Sequence, residues 1–96
     1  MFALCVHDSW ADKVISVLER SNELDYLISY AMEIYDSPCI SMFYEVAVLE
    51  CGKNGRPNAH KLVGYVAYSL DSRTGHKTRI NPVFIMTPQY REIYNR

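Results

Sequence analysis

Cysteine and histidine side chains are the residues of this chain best suited to bind a metal ion. Cys5 and His7 are two positions apart in an apolar run, so a strand would place both on one face. A zinc site needs three or four ligands, and the remaining candidates are Cys39, Cys51 and His60. Nothing in their spacing fixes a third or fourth ligand. We therefore predict no metal site and expect the three cysteines to be reduced, small residues of the core.

A second group of chemically active side chains is basic and lies around the last predicted strand. Its members are Arg73, His76, Lys77, Arg79 and Arg91. They can line a rim that binds phosphate or nucleic acid, or they can form a solvated basic turn. Residues 1–50 carry two basic and nine acidic side chains (net −7), and residues 51–96 carry eight and two (net +6). The asymmetry can bring the two halves together or present them to different partners; we favour the first interpretation and a solvated turn.

Length and composition predict a single domain over residues 1–96. The chain is 49% hydrophobic and 22% charged, which is typical of a globular protein. No apolar run reaches the roughly 20 residues of a membrane span, and Met1–His7 lacks the basic start of a signal peptide. We therefore expect a protein of the cytoplasm, or of the inside of a virion, with no membrane contact.

Two helices are predicted after a first strand at Phe2–Val6. The buried stripe of the first helix would contain Trp10, Ala11, Val14, Ile15 and Leu18, and that of the second Leu24, Leu27, Ile28, Ala31, Met32 and Tyr35. Because helical residues advance by about 100° each, these stripes are rotated by about 100°, and one straight helix cannot bury both. We therefore place a break at Ser21-Asn22, with Asn22 capping the second helix. Trp10, Val14 and Leu18 should then contact the sheet.

The second half of the chain predicts a three-stranded antiparallel meander and a short terminal helix. Ile40–Cys51 and Lys61–Leu70 are rich in Val, Tyr and Phe and flank a glycine-bearing loop. The last strand is Ile80–Met86, in which Pro82 marks a bulge or a sheet edge. The terminal helix begins with Pro88, where a missing amide is harmless. The predicted fold class is therefore α+β: strand, two helices, meander and C-terminal helix.

The segment around Pro88, Tyr90 and Arg91 resembles a motif of the GCN5-related N-acetyltransferase family. In that family a strand ending in Val-x-Pro-x-Tyr-Arg runs into a Gly-x-Gly turn, which opens a helix and holds the coenzyme A pyrophosphate. In this chain the two glycine positions are occupied by Glu92 and Tyr94, and only five residues follow Arg91. The resemblance implies the N-terminal part of an acetyltransferase-like fold, truncated at the pyrophosphate-binding turn.

The same resemblance implies a cofactor site at the end of the last strand. The backbone of Phe84, Ile85 and Met86 would pair with pantetheine, and Arg91 would lie at the pyrophosphate. Glycine allows backbone amides to approach a phosphate, whereas the carboxylate of Glu92 repels it. We therefore expect no useful affinity for acetyl-CoA and predict no cofactor, with acetyl-CoA as the alternative.

Amine acetylation also requires a base and an acid within hydrogen-bond reach of the reacting atoms. Glu45 and Glu50 are the candidate bases on the predicted hairpin, and Tyr90 and Tyr94 are the candidate acids. Strand glutamates are usually solvated or paired, and tyrosines of a terminal helix usually pack or lie at interfaces. We therefore predict no catalytic residue and a protein that is not an enzyme.

Our leading hypothesis is a non-catalytic, acetyltransferase-like protein that acts by binding another protein, such as a virion component or an inhibitor of a host system. The chain contains eight tyrosines, a residue type favoured at interfaces. The strand Ile80–Met86 would leave an apolar edge, so we expect a protein partner or self-association there. The alternatives are an acyl-CoA-dependent N-acetyltransferase and a basic-faced nucleic-acid-binding protein.

Overall fold

Five strands and two helices are arranged in an α+β fold in the computed structural model, which describes residues 1–94. In chain order the elements are β1 (Phe2–Asp8), β2 (Lys13–Ser21), α1 (Leu24–Ile34), β3 (Glu45–Cys51), β4 (Pro57–Asp71), β5 (Thr78–Met86) and α2 (Pro88–Tyr94). The strands form one antiparallel sheet in the order β2-β1-β3-β4-β5. The predicted α+β class is therefore confirmed. Residues 95 and 96, the end of the predicted terminal helix, lie outside the described residues.

One face of the sheet, the helix face, holds the main core against α1. Its fully or nearly buried strand residues are Leu4, Val6, Val46, Val48, Val63 and Val66. The stripe predicted for the second helix is largely confirmed, because Leu27 and Ala31 are fully buried and Leu24 packs against the same cluster. Tyr90 of α2 also packs there, so both helices lie on this face.

The opposite face, the open face, carries a smaller apolar cluster. Ala3, Cys5, Ala47 and Leu49 are fully buried there beneath larger side chains of the same face, among them Val14, Val17 and Tyr65. Neither of the helices within residues 1–94 contributes to this cluster. The prediction that both faces of the hairpin strands are covered therefore holds for the helix face, while the open face is covered by its own side chains.

The predicted first helix is wrong: residues 13–21 form the edge strand β2, and Trp10 is 96% exposed. Two register shifts separate β1 and β2, because Ile15 and Leu18 are extra residues opposite the regular ladder of β1. A bulge shifts the alternation of side chains along a strand by one residue. Because the bulge at Ile15 lies between Val14 and Val17, both side chains reach the open-face cluster at a spacing of three. Bulges thus imitate helical spacing in a strand.

The break predicted at Ser21-Asn22 does separate two elements, but these are β2 and α1 and not two helices. Helix α1 begins at Leu24, and its N-cap is Glu23 with no side-chain capping hydrogen bond, so the prediction of Asn22 as the cap is wrong. Instead, the Ser21 hydroxyl accepts a hydrogen bond from the Glu23 amide at 3.0 Å. The chain therefore turns out of the strand on a serine.

The bulge or edge predicted at Pro82 is confirmed in both respects. Strand β5 is the edge strand beside β4. Ile80 pairs with Ser69 and Val83 pairs with Ala67, so β5 has one extra residue between these two pairs. Asn81, within this bulge, has a φ of 53°. Helix α2 begins at Pro88 as predicted.

Candidate functional site

A cleft opens where β3 and β4 separate. Their pairing runs from Cys51 and Pro57 to Ala47 and Tyr65, after which β4 continues to Asp71 with β5 as its partner. The cleft has a volume of about 350 Å³. Its walls include Trp10, Met42, Phe43, Tyr44, Glu45, Tyr65 and Tyr68. We call it the aromatic cleft, because five of these residues are aromatic.

Trp10 is held at the cleft by the turn between β1 and β2. The Asp8 carboxylate accepts hydrogen bonds from the amides of Trp10 at 3.0 Å and Ala11 at 3.3 Å. Asp12 closes the turn with a φ of 49°, a left-handed conformation that aspartate tolerates better than most residues. The turn is thus locally defined, and the indole it carries is almost fully solvent-exposed.

Phe43 is positioned by two successive turns between α1 and β3. The amide of Ile40 donates to the carbonyl of Ser37 at 3.0 Å, and that of Tyr44 donates to the carbonyl of Ser41 at 3.1 Å. The Ser41 hydroxyl also accepts from the Phe43 amide at 3.2 Å. Phe43 consequently lies outside the sheet, with 83% of its side chain exposed.

His7 connects the turn that carries Trp10 to the start of β3. Its ring is 3% exposed, its Nδ1 lies 2.9 Å from Oε1 of Glu45, and its Nε2 lies 3.3 Å from Oδ1 of Asp12. Asp12 belongs to the turn that carries Trp10, and Glu45 is the first residue of β3. A buried imidazole between two carboxylates therefore fixes the turn against the sheet.

The one charged side chain that lines the cleft among residues 1–94 is acidic. Glu45 lines it, and Asp8 and Asp12 flank Trp10 in the adjoining turn. Within residues 1–94, no lysine or arginine lines the cleft. Lys13 follows Asp12 and lies opposite Asp8 in the pairing of β1 with β2, so the negative charge in the lining of the cleft is that of Glu45.

The structure places three of the four predicted cofactor-site residues in the edge strand β5 and the fourth, Arg91, in α2. Phe84 packs into the helix-face core, and Ile85 points to the open face, where it is exposed. The Arg91 guanidinium donates to the Met86 carbonyl at 3.2 Å. Arg91 thus bonds to its own chain at the position where the resemblance would place a ligand.

The candidate base Glu50 and the candidate acid Tyr90 are hydrogen-bonded to each other, with the Tyr90 hydroxyl donating to the Glu50 carboxylate. Burial and this bond raise the pKa of Tyr90 to about 12. A phenol with so high a pKa remains protonated at neutral pH and is a weak acid catalyst. The pair ties α2 to β3, and the other candidate base, Glu45, is bonded to His7.

Arg79 is the one member of the predicted basic set that is buried. Its guanidinium donates to the carbonyls of Tyr35 at 2.6 Å and Ile40 at 2.8 Å, and it lies 5.0 Å from the ring centre of Tyr68. It therefore holds the chain after α1 against β5. Arg73, His76 and Lys77 are exposed, in agreement with a solvated basic turn.

The three cysteines differ in environment. Cys5 is buried as predicted, and burial raises the pKa of its thiol to about 12, whereas Cys51 is half-buried and Cys39 is exposed. The prediction of a core position is therefore wrong for Cys39. Within the part of the chain that the structure describes, no group of three or more potential metal ligands comes together.

No family model matches this sequence, and neither the curated proteins nor the solved structures provide a significant match. The resemblance to the acetyltransferase family, carried by Pro88, Tyr90 and Arg91, therefore stays a prediction. No helix among residues 1–94 combines the length and apolar character that crossing a bilayer requires.

The sequence does not indicate the aromatic cleft, because its two most exposed aromatic residues fall within segments that predict regular elements. Trp10 was expected in a helix stripe and Phe43 in the strand Ile40–Cys51. Two signals point the other way: Asp8 and Asp12 bracket Trp10 as a turn, and Ser37 and Ser41 are spaced like two consecutive turns.

Proposed function

We propose that this protein is a non-catalytic binding protein that engages another protein through its aromatic cleft. The observation that carries the proposal is the exposure of Trp10 and Phe43, at 96% and 83%, in the lining of one cleft. Tryptophan and other aromatic residues dominate the binding energy of protein interfaces, and burying such side chains releases water from a large apolar area.

Three further features support binding at this place. The turns that carry Trp10 and Phe43 are fixed by hydrogen bonds, so little conformational entropy is lost when a partner binds. His7 fixes the turn that carries Trp10 relative to the start of β3. The strand β4 is also paired on one side only from Val66 to Asp71, which leaves backbone groups for an extended segment.

Site-specific photocrosslinking tests the proposal. A benzophenone amino acid at Phe43 should give a discrete adduct with one partner in cells of the source organism, and Trp10→Ala in the same chain should abolish the adduct. The same crosslinker at Ile93, an exposed residue of α2 outside the cleft, serves as the matched control. Adducts that are equal from both positions, or absent from Phe43, would contradict the proposal.

Calorimetric titration with acetyl-CoA tests the non-catalytic part. Because Glu50 and Tyr90 bond to each other and Arg91 bonds to Met86, we expect no measurable binding. A dissociation constant in the low micromolar range would instead favour the transferase.

Self-association through β5 is a second candidate, which rests on a different observation. Strand β5 is a sheet edge, and Val83 and Ile85 are exposed on it, whereas Phe84 packs inward. Edge strands with apolar side chains are prone to pair with another chain. Light scattering should then detect a dimer that Ile85→Lys weakens, and a monomer at high concentration would exclude this candidate.

A further inference from the structure

We propose that the aromatic cleft binds an arginine or lysine side chain of its protein partner. This inference rests on the proposed function and specifies the chemistry of the ligand. It follows from two properties that the cleft combines: a concentration of aromatic rings and a negative charge close to them.

The rings supply the first property. Trp10, Phe43, Tyr44, Tyr65 and Tyr68 line one cleft of about 350 Å³. A cation close to the face of an aromatic ring is attracted by the negative potential of its π electrons, and tryptophan provides the strongest attraction. The aliphatic part of a lysine or arginine side chain also packs well against aromatic surfaces.

The carboxylates supply the second property. Glu45 is in the wall of the cleft, and Asp12 and Asp8 are in the turn that carries Trp10. A purely apolar side chain would remove water from Glu45 without offering a compensating charge, and this costs free energy. A cation compensates that loss, whereas a phosphate group would be repelled, so the charge also disfavours nucleic acid at this site.

The molecule already contains an example of the contact. The guanidinium of Arg79 lies 5.0 Å from the ring centre of Tyr68, a residue that also lines the aromatic cleft. Among residues 1–94, the lining of the aromatic cleft itself contains no arginine or lysine. A partner's arginine would therefore repeat, between two molecules, a contact that the fold uses within one.

The test is a titration with a blocked pentapeptide that contains two arginines, compared with the same peptide in which citrulline replaces arginine. Citrulline keeps nearly the shape of arginine but carries no charge, because a urea oxygen replaces one nitrogen of the guanidinium. Trp10 is the single tryptophan of the chain, so its fluorescence and its indole N–H resonance report on the cleft alone. We expect the arginine peptide to bind about tenfold more tightly, in the range that cation–aromatic contacts supply.

Charge variants locate the effect. Asp12→Asn and Glu45→Gln should each weaken the arginine peptide about threefold, because each removes one charge at nearly constant shape. Asparagine also tolerates the positive φ of residue 12. Glu92→Gln, which removes a charge from exposed α2, is the control and should leave the affinity unchanged.

Each result decides something. Equal affinities of the two peptides, both lost in Trp10→Ala, would overturn the cation proposal and leave the binding function standing. A loss in Glu92→Gln as large as that in Asp12→Asn would also overturn it, because the attraction would then be general. No response of Trp10 to either peptide, together with no adduct from Phe43, would overturn both proposals.

Discussion

Tyr68 belongs to two groups of aromatic side chains that differ in whether they have a cation. On one side, Tyr68 and Tyr35 surround Arg79, whose guanidinium is buried and bonded to two carbonyls. On the other side, the aromatic cleft combines Trp10 and Phe43 with nearby carboxylates and is open to solvent. The first group therefore stabilises the fold, whereas among residues 1–94 no arginine or lysine lines the second.

The largest effect is expected in the first group. Arg79→Met should lower the free energy of unfolding by about 2–4 kcal/mol, because it leaves the carbonyls of Tyr35 and Ile40 buried without their donors. Chemical denaturation measures the loss. The control Arg73→Met replaces an exposed arginine and should cost less than about 0.5 kcal/mol. Similar losses in the two variants would remove the distinction between a structural and a solvated arginine.

A smaller effect is expected at the boundary between the fold and the aromatic cleft. His7→Ala should lower the free energy of unfolding by about 1–2 kcal/mol, because Glu45 is left half-buried without its partner. It should also shift the indole resonance of Trp10, since Asp12 is released as well. His76→Ala, in an exposed turn, is the matched control. An unchanged Trp10 signal in His7→Ala would show that His7 does not position the cleft.

The smallest expected effect is a pH-dependent contribution of Tyr90 to stability. Its hydroxyl is hydrogen-bonded to Glu50. Its pKa is raised from 10.0 to about 12, so the folded state holds the proton more tightly than the unfolded state. The resulting stabilisation is complete below pH 10.0 and is lost as the pH rises towards 12. Tyr90→Phe should therefore show a shallower alkaline loss of stability than the wild type, and Tyr94→Phe should not. Parallel curves for Tyr90→Phe and the wild type would rule out this role.

The sequence predicted the elements whose signals are local and missed those that depend on pairing. Pro88 marks the start of α2, and Pro82 marks the bulge, because proline restricts its own backbone wherever it occurs. The segment of β2 resembles a helix in sequence because the bulge at Ile15 gives Val14 and Val17 a spacing of three, and bulges depend on the partner strand β1. The β-branched residues of this segment favour a strand, but their preference is weaker than the apparent period.

The same assignment of residues 10–18 to a helix explains why the sequence did not indicate the candidate site. Once residues 10–18 were interpreted as a helix, Trp10 became a core residue, although the turn between Asp8 and Asp12 exposes it. The separation of β3 from β4, which forms the cleft, depends on where two distant segments stop pairing. The burial of Arg79 likewise depends on carbonyls 39 and 44 positions away in the chain. No local pattern reports such contacts.

In the proposed function, the exposed side chains of Trp10 and Phe43 are uncovered in the isolated protein and available to a partner. Acrylamide quenching of Trp10 fluorescence tests it most directly, because Trp10 is the single tryptophan. We predict quenching nearly as efficient as for free N-acetyltryptophanamide, and clear protection on saturation with the arginine peptide. Weak quenching in the protein alone would mean that the fold or a second copy already covers Trp10. That result would contradict the proposed binding of a partner at the aromatic cleft.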